Sequence, residues 1–127
     1  MRKLLFMLLV IVSFQLSAQN KITFKSSDGL EITADLYFIH SVEAPIIVLF
    51  HQAGWSRGEY LEIAPKLNKL GYNCIAIDQR SGGEINGVVN ETYKRAKQQG
   101  KTTQYIDAEI DMIAAVLYVK SNFSKAK

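Results

Sequence analysis

The chain has 127 residues, a formal charge of +3 at pH 7 and one cysteine. Arg2 and Lys3 carry most of that excess. Without them thirteen basic residues face twelve acidic ones, so charge gives no ground for a nucleic-acid partner or an anionic membrane surface. A lone Cys74 forms no intrachain disulfide, and two histidines with one cysteine, scattered along the chain, match no metal-ligand spacing.

Residues 1–18 read as an address. A charged start at Arg2 and Lys3 precedes an apolar run from Leu4 to Leu16, and Ser17 and Ala18 supply small residues for cleavage. This pattern predicts a secretory signal peptide and an exported protein, periplasmic or extracellular. The run is shorter than the roughly 20 residues a spanning helix needs, so no membrane anchor is expected. No cysteine stands at the junction to take a lipid. Residues 19–127 then suffice for one small domain with one core.

Ile22 and Phe24 alternate with Lys21, Thr23 and Lys25; Ser27, Asp28 and Gly29 make a turn; Leu30, Ile32, Ala34, Leu36 and Phe38 alternate again. That predicts an antiparallel hairpin with one wet face. After Pro45, Ile46 to Phe50 is apolar throughout, as in a strand covered on both faces. Tyr60, Ile63, Ala64 and Leu67 have helical spacing, with Gly71 as the stop. Pro65 either kinks this helix or sits in its first turn. Asn73 to Asp78 reads as a fourth strand, parallel to the third because a helix joins them. Cys74 within it is expected to be a small buried hydrophobe.

Gln79 to Gly87 is rich in turn residues and reads as a loop. A polar, weakly helical stretch follows to Gly100. Its basic run, Lys94, Arg95, Lys97 and Lys101, lacks the interleaved aromatics that base stacking requires and is expected to be a solvated face. Ile106, Ile110, Ile113 and Leu117 mark an amphipathic helix, with Asp107, Glu109 and Asp111 early and Lys120 late, as suits its dipole. The class is α/β.

The segment IIVLFHQAGWSRGEY runs from a buried strand through His51, Gln52, Ala53 and Gly54 into a helix start. With the leading hairpin, the Asp78-Gln79-Arg80-Ser81-Gly82 loop after the fourth strand and the final helix, it resembles the α/β-hydrolase superfamily, in particular its dienelactone-hydrolase-like and esterase-like members. The resemblance covers nearly all of residues 19–127. It implies a partial α/β-hydrolase-like sheet, an antiparallel hairpin followed by two parallel strands, with flanking helices and ending before the nucleophile strand. It also implies hydrolysis of a small-molecule ester or related acyl compound by the intact enzyme, without a cofactor.

In that family the turn after the third strand lends a backbone N–H to the oxyanion hole. By position Ala53 is the first candidate donor and Gln52 the second, with His51 and Gly54 shaping the turn. Gln52 departs from the glycine common there. His51 is expected to be structural, because the family's base comes near the C-terminus. Nucleophile, acid and base are all expected beyond this stretch, so the chain alone is expected to be inactive. The sheet would then leave Ile46 to Phe50 on an open edge, available for self-association.

Gly54-Trp55-Ser56-Arg57-Gly58 spells the nucleophile-elbow pattern, but His51, Gln52 and Ala53 separate it from the strand. Both histidines, His40 and His51, also precede Ser56. Ser56 is therefore expected to cap a helix. Gly54, Gly58 and Asp78 imitate the spacing of a dinucleotide site, without its close-approach glycine and with bulky Trp55 and Arg57 in the way. The short sequons at Asn90 and Asn122 recur by chance. The alternative to a hydrolase fragment is a noncatalytic exported binding module that uses the exposed strand edge.

Overall fold

The computed structural model describes residues 19–127; the expected signal peptide lies outside them. Strand β1 (Gln19–Lys25) pairs antiparallel with β2 (Glu31–Tyr37), Phe24 opposite Ile32. Asp28 shapes the turn between them by accepting the Leu30 N–H at 3.2 Å, and Gly29 takes a left-handed φ of 83°. Strands β3 (Ile46–Phe50) and β4 (Asn73–Ile77) are parallel, β2 and β4 antiparallel, and the sheet order is β1-β2-β4-β3.

All five residues of β4 are buried, because both its edges are paired and both its faces are covered. On one face Cys74 and Ala76 meet Ala64 and Leu67 of helix α1 (Ile63–Lys69). On the other, Ile75 and Ile77 join Leu30, Ile32 and Ala34 under Ala96 of α2 (Glu91–Gln98) and Ala115 of α3 (Glu109–Asn122). Each fully buried Leu or Ile contributes roughly 1.5–3 kcal/mol. Pro65 is the third residue of α1, within the first turn, so the helix begins late instead of kinking. Burial pushes the Cys74 thiol up to about 11, which leaves it inert as expected.

The structure corrects the sequence reading in three places. The polar face of the hairpin is wet only on β1; on β2, Thr33 and Asp35 are buried beneath α2 and Arg57. The 79–87 loop contains a short strand, β5 (Glu84–Ile85), which pairs with β6 (Val88–Val89) just beyond it, the two joined by Asn86 and Gly87 at φ 54° and 74°. Those angles match a two-residue hairpin turn.

Finally, α3 turns Ile113, Val116 and Leu117 outward, while its Tyr118 and Val119 pack against the core. Ile113 is 50% and Leu117 56% exposed, and Ile106 in the preceding turn 73%, while Asp111, Ala114 and Ala115 face the protein. The alanines let the helix lie close on the sheet. β3 is only half-buried because, among the described residues, its second edge has no partner.

Candidate functional site

The turn that follows β3 lies at the carboxyl ends of the two parallel strands, where open α/β sheets place their ligands. His51 opens it and is 3% exposed. Its Nε2 accepts the Gln79 N–H at 2.9 Å and faces the Asn90 side-chain amide at 3.2 Å, so Nε2 carries no proton. Its Nδ1 lies 2.8 Å from the Gln52 carbonyl, which only accepts, so the proton sits there. Both nitrogens are thus engaged in holding the turn.

The amides of the turn are tied down one by one. Gln52 N–H donates to the Glu59 carboxylate at 2.9 Å, Gly54 N–H to the Ser81 carbonyl at 2.9 Å and Trp55 N–H to the Gln52 carbonyl at 3.1 Å. Gly54 has φ 85°, a conformation that favours glycine. The Ala53 N–H has no acceptor among the described residues, and Ala53 is exposed. Of the two candidate donors, Ala53 is therefore unspent and Gln52 is occupied. Gly82 lets the opposite loop close on this turn, since a Cβ there would collide with the Asn90 amide and the Trp55 carbonyl.

Ser56 is fully buried. Its hydroxyl donates to the Val88 carbonyl at 2.6 Å and accepts the Gly58 N–H at 3.1 Å, capping the 3-10 turn Arg57–Tyr60. Neither histidine is its base: His51 is engaged as described, and His40 Nε2 lies 2.6 Å from the Asn68 carbonyl in α1. The dinucleotide spacing fails as well. A Cβ at Gly58 would collide with Ile85 and Val88, and Asp78 is fully buried with its oxygens taken.

Asp78 accepts the Arg57 N–H at 2.8 Å, the Arg57 guanidinium at 2.6 Å and the Glu91 N–H at 2.8 Å. Arg57 also bonds Asp35 at 3.0 Å. Burial alone would lower the Arg57 pKa, but the charges of Asp78, Asp35 and Glu91 outweigh it and raise it. A second buried cation, Arg80, forks onto Asp111 of α3 at 2.7–3.1 Å and onto Asp28 of the hairpin turn at 2.8 and 3.1 Å.

Sequence reasoning missed both networks. The Asp-x-Arg loop was their one visible trace. Of the basic run, Arg95 bonds the Glu31 carbonyl at 2.6 Å and Lys101 the Asp28 carbonyl at 2.9 Å, while Lys94 and Lys97 are exposed.

No family model and no curated protein sequence matches the chain. Solved structures do. A carboxyl esterase from Bacillus coagulans, highly thermostable and in complex with glycerol, is 21% identical, with a TM-score of 0.58 over 86% of this chain and 34% of its own. The fold is α/β-hydrolase-like. The Pyrococcus furiosus esterase is 19% identical, with a TM-score of 0.52 over 84% of this chain and 37% of its own. This α/β-hydrolase-like chain thus spans about a third of the length of the esterases it matches.

Proposed function

We propose that this chain is the N-terminal part of an exported α/β-hydrolase-like protein and supplies the oxyanion side of a centre that cleaves small-molecule esters. The observation that carries the reading is the Ala53 N–H, the one amide from Gln52 to Trp55 that has no acceptor among the described residues, held at the carboxyl end of a parallel strand. Attack on an ester carbonyl develops negative charge on its oxygen. A fixed N–H aimed at that oxygen stabilises the tetrahedral state more than the ground state. His51, Glu59 and Ser81 keep the turn rigid, so little reorganisation is needed. Nucleophile, acid and base come from outside these 127 residues, and the chain alone is inactive.

The test begins downstream of Lys127. The reading frame is expected to continue into an apolar strand and a G-x-S-x-G, and its full product to hydrolyse p-nitrophenyl acetate. Ala53→Pro, which removes the N–H, should lower kcat roughly 100-fold or more with little change in KM. Circular dichroism checks that the variant folds. Ester turnover or a fluorophosphonate adduct on the 127-residue chain alone would refute the assignment, as would full activity of the proline variant.

A noncatalytic binding module is the second reading. It is favoured by the β3 edge, apolar along all five residues and unpaired among the described residues. An edge of that kind takes a strand from a partner or from a second copy.

A further inference from the structure

Gln19 stands directly after Ser17 and Ala18, the small residues of the expected leader junction. It opens β1 opposite Tyr37, on the sheet face it shares with Lys21, and Lys21 stands opposite Asp35. Asp35 is thus its diagonal neighbour. The Gln19 side-chain amide donates to Asp35 Oδ2 at 2.6 Å. That carboxylate is buried, with 3% of its side chain exposed, and the same oxygen accepts the Arg57 Nε–H at 3.0 Å.

An amino-terminal glutamine has a reaction open to it that an internal one lacks. Its neutral α-amine attacks its own Cδ: the N–Cδ bond forms, the Cδ–Nε2 bond breaks, and Nε2 departs as ammonia with the proton that the amine gives up. The product, 5-oxoproline, is a five-membered lactam without a terminal charge. Closing that ring needs the side chain folded back onto the α-nitrogen. Asp35 draws it the other way, toward a position two residues forward along β1, roughly 6–7 Å away. An amide held there does not reach its own amine.

We propose that Gln19 becomes the amino-terminal residue of the exported protein and is a site of lactam closure gated by the fold, open while its amide sits on Asp35 and closing where β1 is unpaired. The proposal rests on the leader reading and not on the catalytic one. It is also independent of β3, since β1 lies at the opposite edge of the sheet. A hydrogen bond to a charged acceptor favours the held form by roughly 10- to 100-fold. Closure slows in proportion, because only the released amide reacts. Closure also removes the donor, leaving Arg57 as the side chain bonded to Asp35 Oδ2 among the described residues.

For the test, the complete reading frame is expressed with its leader in a bacterial host, and the amino-terminal peptide of the secreted product is analysed by mass spectrometry. A terminus at Gln19 is expected, in the open form, because β1 pairs sooner than the ring closes. The protein is then held near pH 8, where about half of an ordinary α-amine is neutral. Loss of one ammonia from the terminal peptide is followed in buffer and in guanidinium chloride. Closure should run at least about 10-fold faster in the denaturant.

Asp35→Asn replaces the charged acceptor with a neutral one. It should close faster than the parent in buffer and at the parent's rate in denaturant, with circular dichroism to check its fold; the parent comparison decides even where the variant does not fold. An uncut leader, or a terminus other than Gln19, overturns the proposal through the leader reading. A terminus at Gln19 that is already closed on isolation, or that closes equally fast in buffer and in denaturant, overturns the Asp35 gate and leaves the leader reading standing.

Discussion

His51 Nε2, at the end of β3, accepts the N–H of Gln79, at the end of β4, across 2.9 Å. One imidazole thereby fastens two parallel strands at the level of the turn that holds Ala53. His51→Ala is expected to cost about 2–3 kcal/mol, because it strands the buried Gln79 N–H and weakens the hold on the Asn90 amide and the Gln52 carbonyl. Urea unfolding checks it. A variant as stable as the parent would show that water replaces the imidazole without loss.

Arg57 lies between Asp35 and Asp78, with 8% of its side chain exposed against 3% and 0% of theirs. Removing the cation leaves two carboxylates out of reach of water. Arg57→Met should therefore destabilise by roughly 3–5 kcal/mol. Arg57→Lys keeps the charge but not the fork, and should fall between the two. The ranking by urea midpoint is the check, and equal midpoints for Met and Lys would contradict it.

These networks show where the sequence was readable and where it was not. The strands were legible because Ile46 to Phe50 is continuously apolar and Ile22 to Leu36 alternates, although the alternation gave no sign that Thr33 and Asp35 of β2 are buried. Ser56 was legible as a cap because His51, Gln52 and Ala53 separate its motif from the strand and a helical turn begins directly after it. The ion pairs were hidden, since Arg57 finds its carboxylates 22 and 21 residues away and a charged residue gives no local sign of burial. The direction of α3 was misread for a different reason. From Ile110 to Val119 only Asp111 is polar, so the pattern offers two apolar faces, and close packing selected the one with the alanines. Asn86-Gly87 did signal a hairpin, but its strands have two residues each, too short for alternation.

Asp28 links the hairpin turn to Arg80 and Lys101. The Arg80 hydrogen bonds hold its carboxyl below the usual carboxylate range, although partial burial acts the other way. A carboxyl depressed in the folded state stabilises above its unfolded pKa of about 4, and that stability is lost as the pH falls. Asp28→Asn should be less stable than the parent at pH 7, with the gap closing between about pH 5 and pH 2. Urea midpoints of both proteins across that range measure it; a gap that stays constant would mean that the Arg80 contact does not depend on the charge.

Tyr37 ends β2 in the core beside Cys74 and Ala64, 2% exposed, and its hydroxyl has no hydrogen-bond partner among the described residues. Burial, assisted by the nearby Asp35 charge, pushes the phenol up to about 12. An acid with a raised folded pKa favours the folded state while protonated, so its stabilising contribution is complete below the unfolded value of about 10 and is lost as the pH climbs toward 12.

Replacing it with phenylalanine keeps the ring that packs on Ala64 and removes an oxygen that pays desolvation without return. Tyr37→Phe should therefore gain about 1 kcal/mol at pH 7 and lose less stability than the parent between pH 10 and 12. Denaturant midpoints at pH 7 and 11 test both halves. A loss at pH 7 would mean that the hydroxyl is held by a water in the core, and the substituted residue should then be read as part of the sheet's polar anchoring alongside Asp35.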